Sequence, residues 1–153
     1  LLFKLFCVKP SIRKRKDACA IDIYISRTNL VDACEKIGLK IGNKIKQGLD
    51  IPAWIRTNPR FTRTCIRGLI DTDGCVFTHT YIVKGKIYKY KKMSFTTASK
   101  PLLMSMHALL KNNGLHPRIA QNKRIYLDSM YDVKRYFKII GSHNPKHLRK
   151  YLT

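Results

Sequence analysis

The stretch Ile66-Arg67-Gly68-Leu69-Ile70-Asp71-Thr72-Asp73-Gly74 is the most unusual part of the chain. It carries two of the nine acidic residues in a segment that is otherwise mostly apolar or small. Asn58-Pro59 has the order of a helix start, so the spacing predicts a helix through Thr72 that stops at Gly74. A carboxylate at a helix C-terminus is unfavourable, so Asp73 calls for compensation, for example by a divalent cation beside a phosphate. The alternative interpretation is an ordinary Asp-x-Asp-Gly turn that caps the helix.

Strand and helix signals alternate on both sides of this stretch. Apolar and polar residues alternate in Ile21–Ile25 and in both arms of a hairpin that turns at Lys84-Gly85. Cap residues and glycine stops predict the helices. The predicted elements are a strand at 21–25, a helix from Ser26 or Thr28 to Lys36, hairpin strands at 75–83 and 86–97, a helix between Ser99 and Gly114, strands at about 116–121 and 124–128, a helix at about 129–140 and a last helix from Asn144-Pro145.

The charge of the chain indicates a polyanionic partner. Lysine and arginine number 31 against nine acids, which gives a formal net charge of +22, while 44% of the residues are hydrophobic and allow a folded core. Such a surplus repels itself unless a partner neutralises it. Basic residues alternate with aromatic ones between Lys84 and Lys92, and they follow one another in Arg13–Lys16. This pattern favours nucleic acid over a membrane surface.

The cysteines indicate where the protein resides. Five cysteines without a Cys-x-x-Cys pair suit a reduced protein better than a disulfide framework, and their spacing does not suggest a zinc site. No apolar run approaches the length of a membrane span. We therefore expect an intracellular protein that is associated with nucleic acid.

The nine residues Ile66–Gly74 resemble the signature of the LAGLIDADG homing endonucleases. The shared pattern is an apolar residue, glycine, two apolar residues, aspartate, a small residue and Asp-Gly, and Arg67 stands where the signature has alanine. Ile51–Ile55 before the motif, the hairpin after it, and Ile140-Gly141 with Asn144–His147 also look like features of the family. The resemblance covers essentially the whole chain. It implies an α+β fold of αββαββα repeats, whose antiparallel sheets form a DNA-binding saddle.

The resemblance also implies an active site. In that family two motif helices pack side by side, and the final aspartate of each binds a divalent metal, so Asp73 is the expected ligand of Mg²⁺ or another divalent cation. The expected contact between motif helices consists of Gly68, Asp71, Thr72 and Gly74. The role of Asp71 there is the more structural one. Gly68 and Thr72 are small and lie four positions apart on one helix face, so they allow a second helix to approach closely.

Two lysines fall where the family keeps a basic residue near the metal centre. They are Lys146 and its repeat counterpart Lys44, which the resemblance implies as catalytic residues. In a chain with 31 basic residues, plain phosphate contact or solvation is the alternative for each of them.

Strand alternation then selects a DNA-facing side of the sheet, since Met93 and Phe95 are expected in the core. A β-ribbon fits the major groove, where lysine, serine and threonine contact phosphates and base edges. The expected DNA-contacting residues are Phe77, His79, Tyr81, Lys86, Tyr88, Tyr90, Lys92, Ser94, Thr96, Arg118 and Arg124. Packing of Tyr88 and Tyr90 as ordinary strand aromatics is the alternative.

An internal similarity predicts the domain organisation. At a constant offset of 107 residues, Phe3, Val8, Pro10 and Ile12 align with Leu110, Leu115, Pro117 and Ile119. We therefore expect the latter half of a first repeat at 1–58, truncated at its N-terminal side, and a complete second repeat at 59–153. The same offset places the partner of Asp73 before residue 1. An upstream first repeat or a second copy of the chain is expected to complete the active site.

Together these features predict a site-specific endonuclease for double-stranded DNA, dependent on Mg²⁺ and of the homing type associated with introns or inteins. The alternative is an inactive member of the same family, either an RNA maturase that binds intron RNA or a DNA-binding regulator. Retention of Asp73 favours the enzyme, because a pure binding protein does not need an acid at that position. A basic ribosome-associated α/β protein is a third and weaker interpretation.

Binding to nucleic acid should depend steeply on salt. If the basic face makes about 6–10 phosphate contacts, the affinity for duplex DNA should fall about 10³–10⁵-fold between about 50 and 200 mM salt, because binding releases counterions. Fluorescence anisotropy with a labelled duplex measures this slope. A flat titration contradicts an interface built on phosphate contacts.

Overall fold

Helices and strands alternate along the chain in a computed structural model that describes residues 2–153. The chain divides into unit 1, Leu1–Gly42, and unit 2, Asn43–Thr153. Unit 1 contains α1 (Leu2–Phe6), β1 (Ser11–Lys14), β2 (Ile21–Tyr24) and α2 (Thr28–Lys36). Unit 2 contains α3 (Ala53–Arg56), α4 (Pro59–Asp73), β3 (Gly74–Val83), β4 (Lys86–Thr96), α5 (Lys100–Asn112), β5 (Arg118–Ala120), β6 (Arg124–Leu127), α6 (Met130–Ile139) and α7 (Pro145–Leu152).

Unit 1 is a helix, an antiparallel hairpin and a second helix. In the hairpin, Ser11 lies opposite Tyr24 and Lys14 opposite Ile21. None of residues 2–42 is buried, and Ile12 is 66% exposed. Unit 1 therefore buries no apolar core among its described residues.

The predicted cap of α2 at Ser26 or Thr28 is wrong, because Arg27 occupies that position in an extended conformation and no side chain caps the helix.

The helix α4 begins where its cap predicts. The side chain of Asn58 accepts hydrogen bonds from the backbone N–H groups of Arg60 and Phe61, and Pro59 occupies the first helical position, where it needs no donor. Thr62, Ile66 and Ile70 repeat every four residues and are buried. This stripe holds one side of α4 against the core.

The helix α4 passes directly into β3 at Gly74. This glycine has φ −94° and ψ 169°, and it already pairs with Phe95 in the sheet. A Cβ atom at this position would lie 2.5 Å from the carbonyl oxygen of Ile70, so a glycine is required for steric reasons. The alternative interpretation of an Asp-x-Asp-Gly capping turn is wrong, because an extended strand follows Asp73 at once.

The sheet of unit 2 is antiparallel and has the strand order β3-β4-β6-β5. The tight turn between β3 and β4 has φ +48° at Lys84 and φ +76° at Gly85, as a two-residue hairpin of the predicted kind requires. From α4 to α6 the elements follow the order αββαββα. The predicted α+β fold is therefore confirmed for this unit.

The core lies between one face of this sheet and the helices. Met93 and Phe95 are each 1% exposed, as alternation predicts. The same face presents Val76, Ile125 and Leu127, and the helices cover it with Ile66, Ile70, Leu103, Met106, Leu110, Val133 and Tyr136. The opposite face of the sheet is left to solvent or to a ligand.

Residues 43–58 pack against the rest of unit 2. Ile51 is 3% exposed and belongs to its core. The hydroxyl of Ser99 donates to the carbonyl of Leu49, and the hydroxyl of Thr62 donates to the carbonyl of Ile55 at 2.8 Å. The compact unit therefore begins at Asn43, whereas the predicted repeat boundary lies between residues 58 and 59.

Two glycines of the motif should respond in opposite ways to alanine. Gly74→Ala should lower the free energy of unfolding by about 1–3 kcal/mol, because the new methyl group overlaps the backbone of Ile70. Gly68→Ala is the matched control, since nothing lies within 4 Å of its Cβ position. It should raise the free energy of unfolding by about 0.5–1 kcal/mol through better helix propensity. Urea titrations of the monomeric chain measure both values, and equal effects contradict the steric account.

Candidate active site and nucleic-acid interface

Asp73 differs from the other acids of unit 2 because its carboxylate has no partner among the described residues. Unit 2 contains five acids, and the other four form hydrogen bonds or ion pairs: Asp50, Asp71, Asp128 and Asp132. Asp73 is exposed and is the last residue of α4, whose final turn contains no basic residue. The negative end of the helix dipole adds to its charge. The result is an accessible carboxylate that a cation would stabilise.

Asp71 forms its hydrogen bonds within unit 2. Its carboxylate accepts hydrogen bonds from the hydroxyl of Ser142 and, at 2.8 Å, from the backbone N–H of His143. Its carbonyl oxygen accepts from the side-chain amide of Asn144, also at 2.8 Å. Asn144 in turn caps α7 by accepting from the backbone of Lys146. Asp71 therefore ties the end of α4 to the start of α7, which is a structural role within one unit.

A buried polar cluster lies beside this connection. His147 is 4% exposed, and its Nδ1 atom lies 3.7 Å from the carboxylate of Asp71. Among the described residues, neither this atom nor the hydroxyl of the fully buried Tyr136 has a hydrogen-bond partner. Burial raises the pKa of Tyr136, and the charge of Asp71 adds to the effect. Tyr136 is therefore a neutral group of the core beside Asp71.

One face of α4 is open and carries small side chains. Gly68 is exposed, with empty space around its Cβ position. Thr64 and Thr72 share this face, and each hydroxyl donates to a backbone carbonyl of its own helix, at 3.0 Å and 3.1 Å. The face therefore offers no unsatisfied polar group to an approaching helix. A contact of Gly68 and Thr72 with a second motif helix stays a prediction, whereas Gly74 makes its close approach within its own unit.

The register of the sheet places all eleven predicted DNA-contacting residues on one face. Tyr81 lies opposite Tyr88, His79 opposite Tyr90 and Phe77 opposite Lys92. The face continues across the sheet through Ser94, Tyr126 and Arg118, and through Thr96 and Arg124. Their contact with DNA stays a prediction. Of the lysines in this hairpin, Lys89 and Lys91 point to the other face, where Lys91 donates to Thr78.

Four aromatic rings meet on the hairpin part of this face. The rings of Tyr81 and Tyr88 stack with centroids 5.2 Å apart, and those of His79 and Tyr90 meet edge to face at 5.2 Å. The alternative interpretation is that Tyr88 and Tyr90 pack as ordinary strand aromatics. It holds for their contacts with His79 and Tyr81. Tyr81 and Tyr88 nevertheless keep 40% and 43% of their surface exposed, so their rings are also available to a ligand.

The two predicted catalytic lysines have different surroundings. Lys146 is exposed in the first turn of α7, the helix whose start is bonded to Asp71. Lys44 is exposed in a turn region near Leu49, whose N–H donates to the Lys44 carbonyl at 2.8 Å. Within residues 2–153 no hydrogen bond or ion pair connects either ammonium group to Asp73. Their catalytic roles stay predictions.

Sequence reasoning missed the partners of these residues. It did not find Ser142 and His143 beside Asp71, and it overlooked Tyr126 and Asp128 beside the two arginines. Alternate residues of a strand share a face, so Tyr126, two positions after Arg124 on β6, could have been predicted on the same face. No local pattern signals the contact of Asp71 with Ser142, which lies 71 residues away.

The described residues contain neither a preformed metal cluster nor a membrane helix. No group of three or more His, Cys, Asp or Glu side chains is arranged to hold a metal ion in this part of the chain. No helix in residues 2–153 has the length and apolar character needed to cross a membrane.

The two acids of the motif should differ in their effect on stability. Asp71→Ala should lower the free energy of unfolding by about 1–3 kcal/mol, because Ser142 and the N–H of His143 lose their acceptor. Asp73→Ala should change it by no more than about 0.5 kcal/mol, because an exposed carboxylate without a partner is removed. Thermal or urea unfolding of both variants gives the comparison. A larger loss for Asp73→Ala would mean that this carboxylate has a structural role.

The comparisons with known proteins agree with this architecture. A family model described as a LAGLIDADG-like domain matches residues 60–152, which span α4 to α7. A search of curated proteins finds no match to the chain. The family match begins at the second residue of α4 and covers more than half of the chain, and it includes the nine-residue motif, the sheet and the three residues that bond to Asp71. The chain therefore belongs to the LAGLIDADG family.

Proposed function

We propose that this chain is part of a homing endonuclease that cleaves double-stranded DNA with the help of a divalent cation. The observation that carries the proposal is Asp73, an exposed carboxylate without a partner among the described residues, in a unit whose other acids are all paired. An acid in this position is unfavourable for binding a polyanion and for the helix dipole. It becomes favourable if a cation joins it to a phosphate.

A single carboxylate fits Mg²⁺. This ion usually binds proteins through one or two carboxylates and fills its remaining positions with water and substrate phosphates. Residues 2–153 contain no group of three or more His, Cys, Asp or Glu side chains that could hold a metal ion, so Mg²⁺ would bind here through Asp73, phosphates of the DNA and water. When bound, the cation would neutralise charge on the scissile phosphate and the leaving oxygen. Lys146, which follows the loop bonded to Asp71, would add positive charge beside the same phosphate.

A complete site needs a second motif helix against the open face of α4. Cleavage of both strands requires one carboxylate for each strand, and unit 2 supplies one. The open space at Gly68 and the internally satisfied hydroxyls of Thr64 and Thr72 support close packing of another helix there. That helix would come from an upstream first repeat or from a second copy of the chain. Activity on both strands then depends on this contact.

The solvent-facing side of the sheet would enter the major groove. The groove is wide enough for a β-ribbon, and the face carries lysines, arginines and hydroxyl groups in register. Lysine side chains near the hairpin, such as Lys86, would contact phosphates as flexible point charges. An association with introns or inteins follows from the homing type and belongs to the same proposal.

The aromatic cluster supports a second candidate, an RNA maturase without nuclease activity. Proteins that recognise RNA commonly stack unpaired bases on aromatic side chains. Tyr81 and Tyr88 present such rings with about 40% exposure on the hairpin. This candidate predicts preferential binding to single-stranded or looped RNA, while the endonuclease predicts preferential binding to a duplex. Competition between the two ligands separates them.

Asp73→Asn should abolish cleavage and leave binding intact or stronger. The exchange removes the metal ligand and also a repulsion with the DNA backbone. A duplex selected by the wild-type chain from a random library is cloned into a plasmid, and nicking and linearisation are measured with and without Mg²⁺. The control is Asp32→Asn, an identical exchange at an exposed residue of α2 in unit 1, which should cleave like the wild type.

Two outcomes decide against parts of this proposal. Efficient cleavage by Asp73→Asn rules out this residue as the metal ligand. Duplex binding without Mg²⁺-dependent cleavage, when a second motif helix is supplied by an upstream first repeat or by dimerisation, favours the binding-protein alternative. Linear product formed by a monomer contradicts the requirement for a second motif helix.

A further inference from the structure

The solvent-facing side of the sheet contains an acid at a place where a DNA-binding surface should avoid one. Asp128 follows β6 directly, and its side chain is 32% exposed. One carboxylate oxygen accepts from the ammonium group of Lys92 at 2.8 Å, and the other accepts from Nε of Arg118 at 2.7 Å. Because an acid on this face repels phosphates, its presence needs a reason other than affinity.

Asp128 is charged in this arrangement. Burial raises its pKa, but the hydrogen bonds from Arg118 and Lys92 outweigh this effect and hold the pKa below its ordinary value. The hydrogen bond to Asp128 also raises the pKa of Lys92. The three groups therefore stay ionised at neutral pH, and the carboxylate offsets part of the positive charge of both cations.

Arg118 is held on two sides. Besides the bond from Nε to Asp128, its guanidinium lies over the ring of Tyr126, 5.0 Å from the centroid. No residue in the described part of the chain accepts a hydrogen bond from its two Nη atoms, and its side chain is 57% exposed. The outer edge of the guanidinium is therefore oriented and free to donate two parallel hydrogen bonds.

The ring of Tyr126 also contacts a second arginine. Arg124 donates from Nη1 to the Tyr126 hydroxyl at 3.0 Å and from Nε to the hydroxyl of Thr96 at 3.1 Å. Its guanidinium carbon lies 5.9 Å from the Tyr126 centroid. Tyr126 thus contacts both arginines, and it lies between Arg124, which donates to its hydroxyl, and Arg118, which lies over its ring.

We propose that Arg118 reads a guanine in the major groove and that Asp128 and Tyr126 are its positioning residues. The inference rests on the proposed binding of duplex DNA. An arginine fork that donates to O6 and N7 of guanine is the commonest specific contact to a base, and it requires an oriented guanidinium. A free arginine would serve equally well as a phosphate contact. Lys92, whose ammonium group is bound to Asp128, then supports the cluster and is not a free phosphate contact as the sequence suggested.

The test compares base preference with overall affinity. The 153-residue wild-type chain selects duplexes from a library with a randomised central segment, and the dissociation constants of the enriched duplex and of versions with each guanine replaced are then measured. Asp128→Asn should reduce discrimination at one guanine about tenfold or more, while its affinity for unrelated duplex DNA stays equal or rises. Arg118→Lys, which keeps the charge but loses the fork, should lose preference for the same guanine.

The control and the double variant make the result specific. Asp32→Asn removes the same charge from unit 1 and should leave the guanine preference unchanged. In the presence of Arg118→Lys, the further exchange Asp128→Asn should have no additional effect at that guanine, since both act through one contact.

Several outcomes overturn the inference. It fails if Asp128→Asn and Asp32→Asn have equal effects, if Arg118→Lys keeps the full preference, or if the wild-type chain binds duplexes but enriches no guanine. The proposed function survives each of these results, because Asp73-dependent cleavage is measured separately. Absence of duplex binding by the wild-type chain removes both the proposed function and this inference.

Discussion

The passage of α4 into β3 at Gly74 is the constraint on which the geometry of unit 2 depends. The strand starts in the residue that follows the helix, and the backbone of Ile70 leaves no room for a side chain there. This fixes the end of the helix to the edge of the sheet. Asp71 and Asp73 are two residues apart, which is about 200° around a helix. One acid therefore points to the loop before α7, and the other points outward to solvent.

The acids of this basic chain are used mainly to fix cations or loops. Asp71 holds the loop of Ser142 and His143, and Asp128 holds Lys92 and Arg118. Asp132 is 2% exposed and accepts from Ser129 and His116, which hold its pKa below its ordinary value although burial acts in the opposite direction. The chain carries a formal net charge of +22, and these few acids each contact particular side chains or loops. Asp73 is the exception among the described acids of unit 2, and it therefore carries the functional proposal.

The two units differ in how far they bury their apolar side chains. Unit 2 buries aliphatic and aromatic side chains between sheet and helices, whereas residues 2–42 of unit 1 leave Ile12, Ile21 and Ile23 more than half exposed. Unit 1 nevertheless has the order α1-β1-β2-α2, which is the order of α5-β5-β6-α6 in unit 2. The same segments show the sequence similarity at an offset of 107 residues, in which Phe3 aligns with Leu110. The division into one partial and one complete repeat stays a prediction.

The sequence by itself determined most of the elements, the motif and the face of the sheet, but it did not predict the short helices α1 and α3. Caps such as Asn58-Pro59 and Asn144-Pro145 act within one turn of the chain, and strand alternation has a fixed period of two, so both are readable from local residues. Only the tertiary structure decided which polar groups meet. Ser99 occupies a cap position, yet its hydroxyl donates to Leu49, and Asp71 bonds a loop about seventy residues further along. Such contacts depend on strand register and on packing between distant segments, which no local pattern encodes.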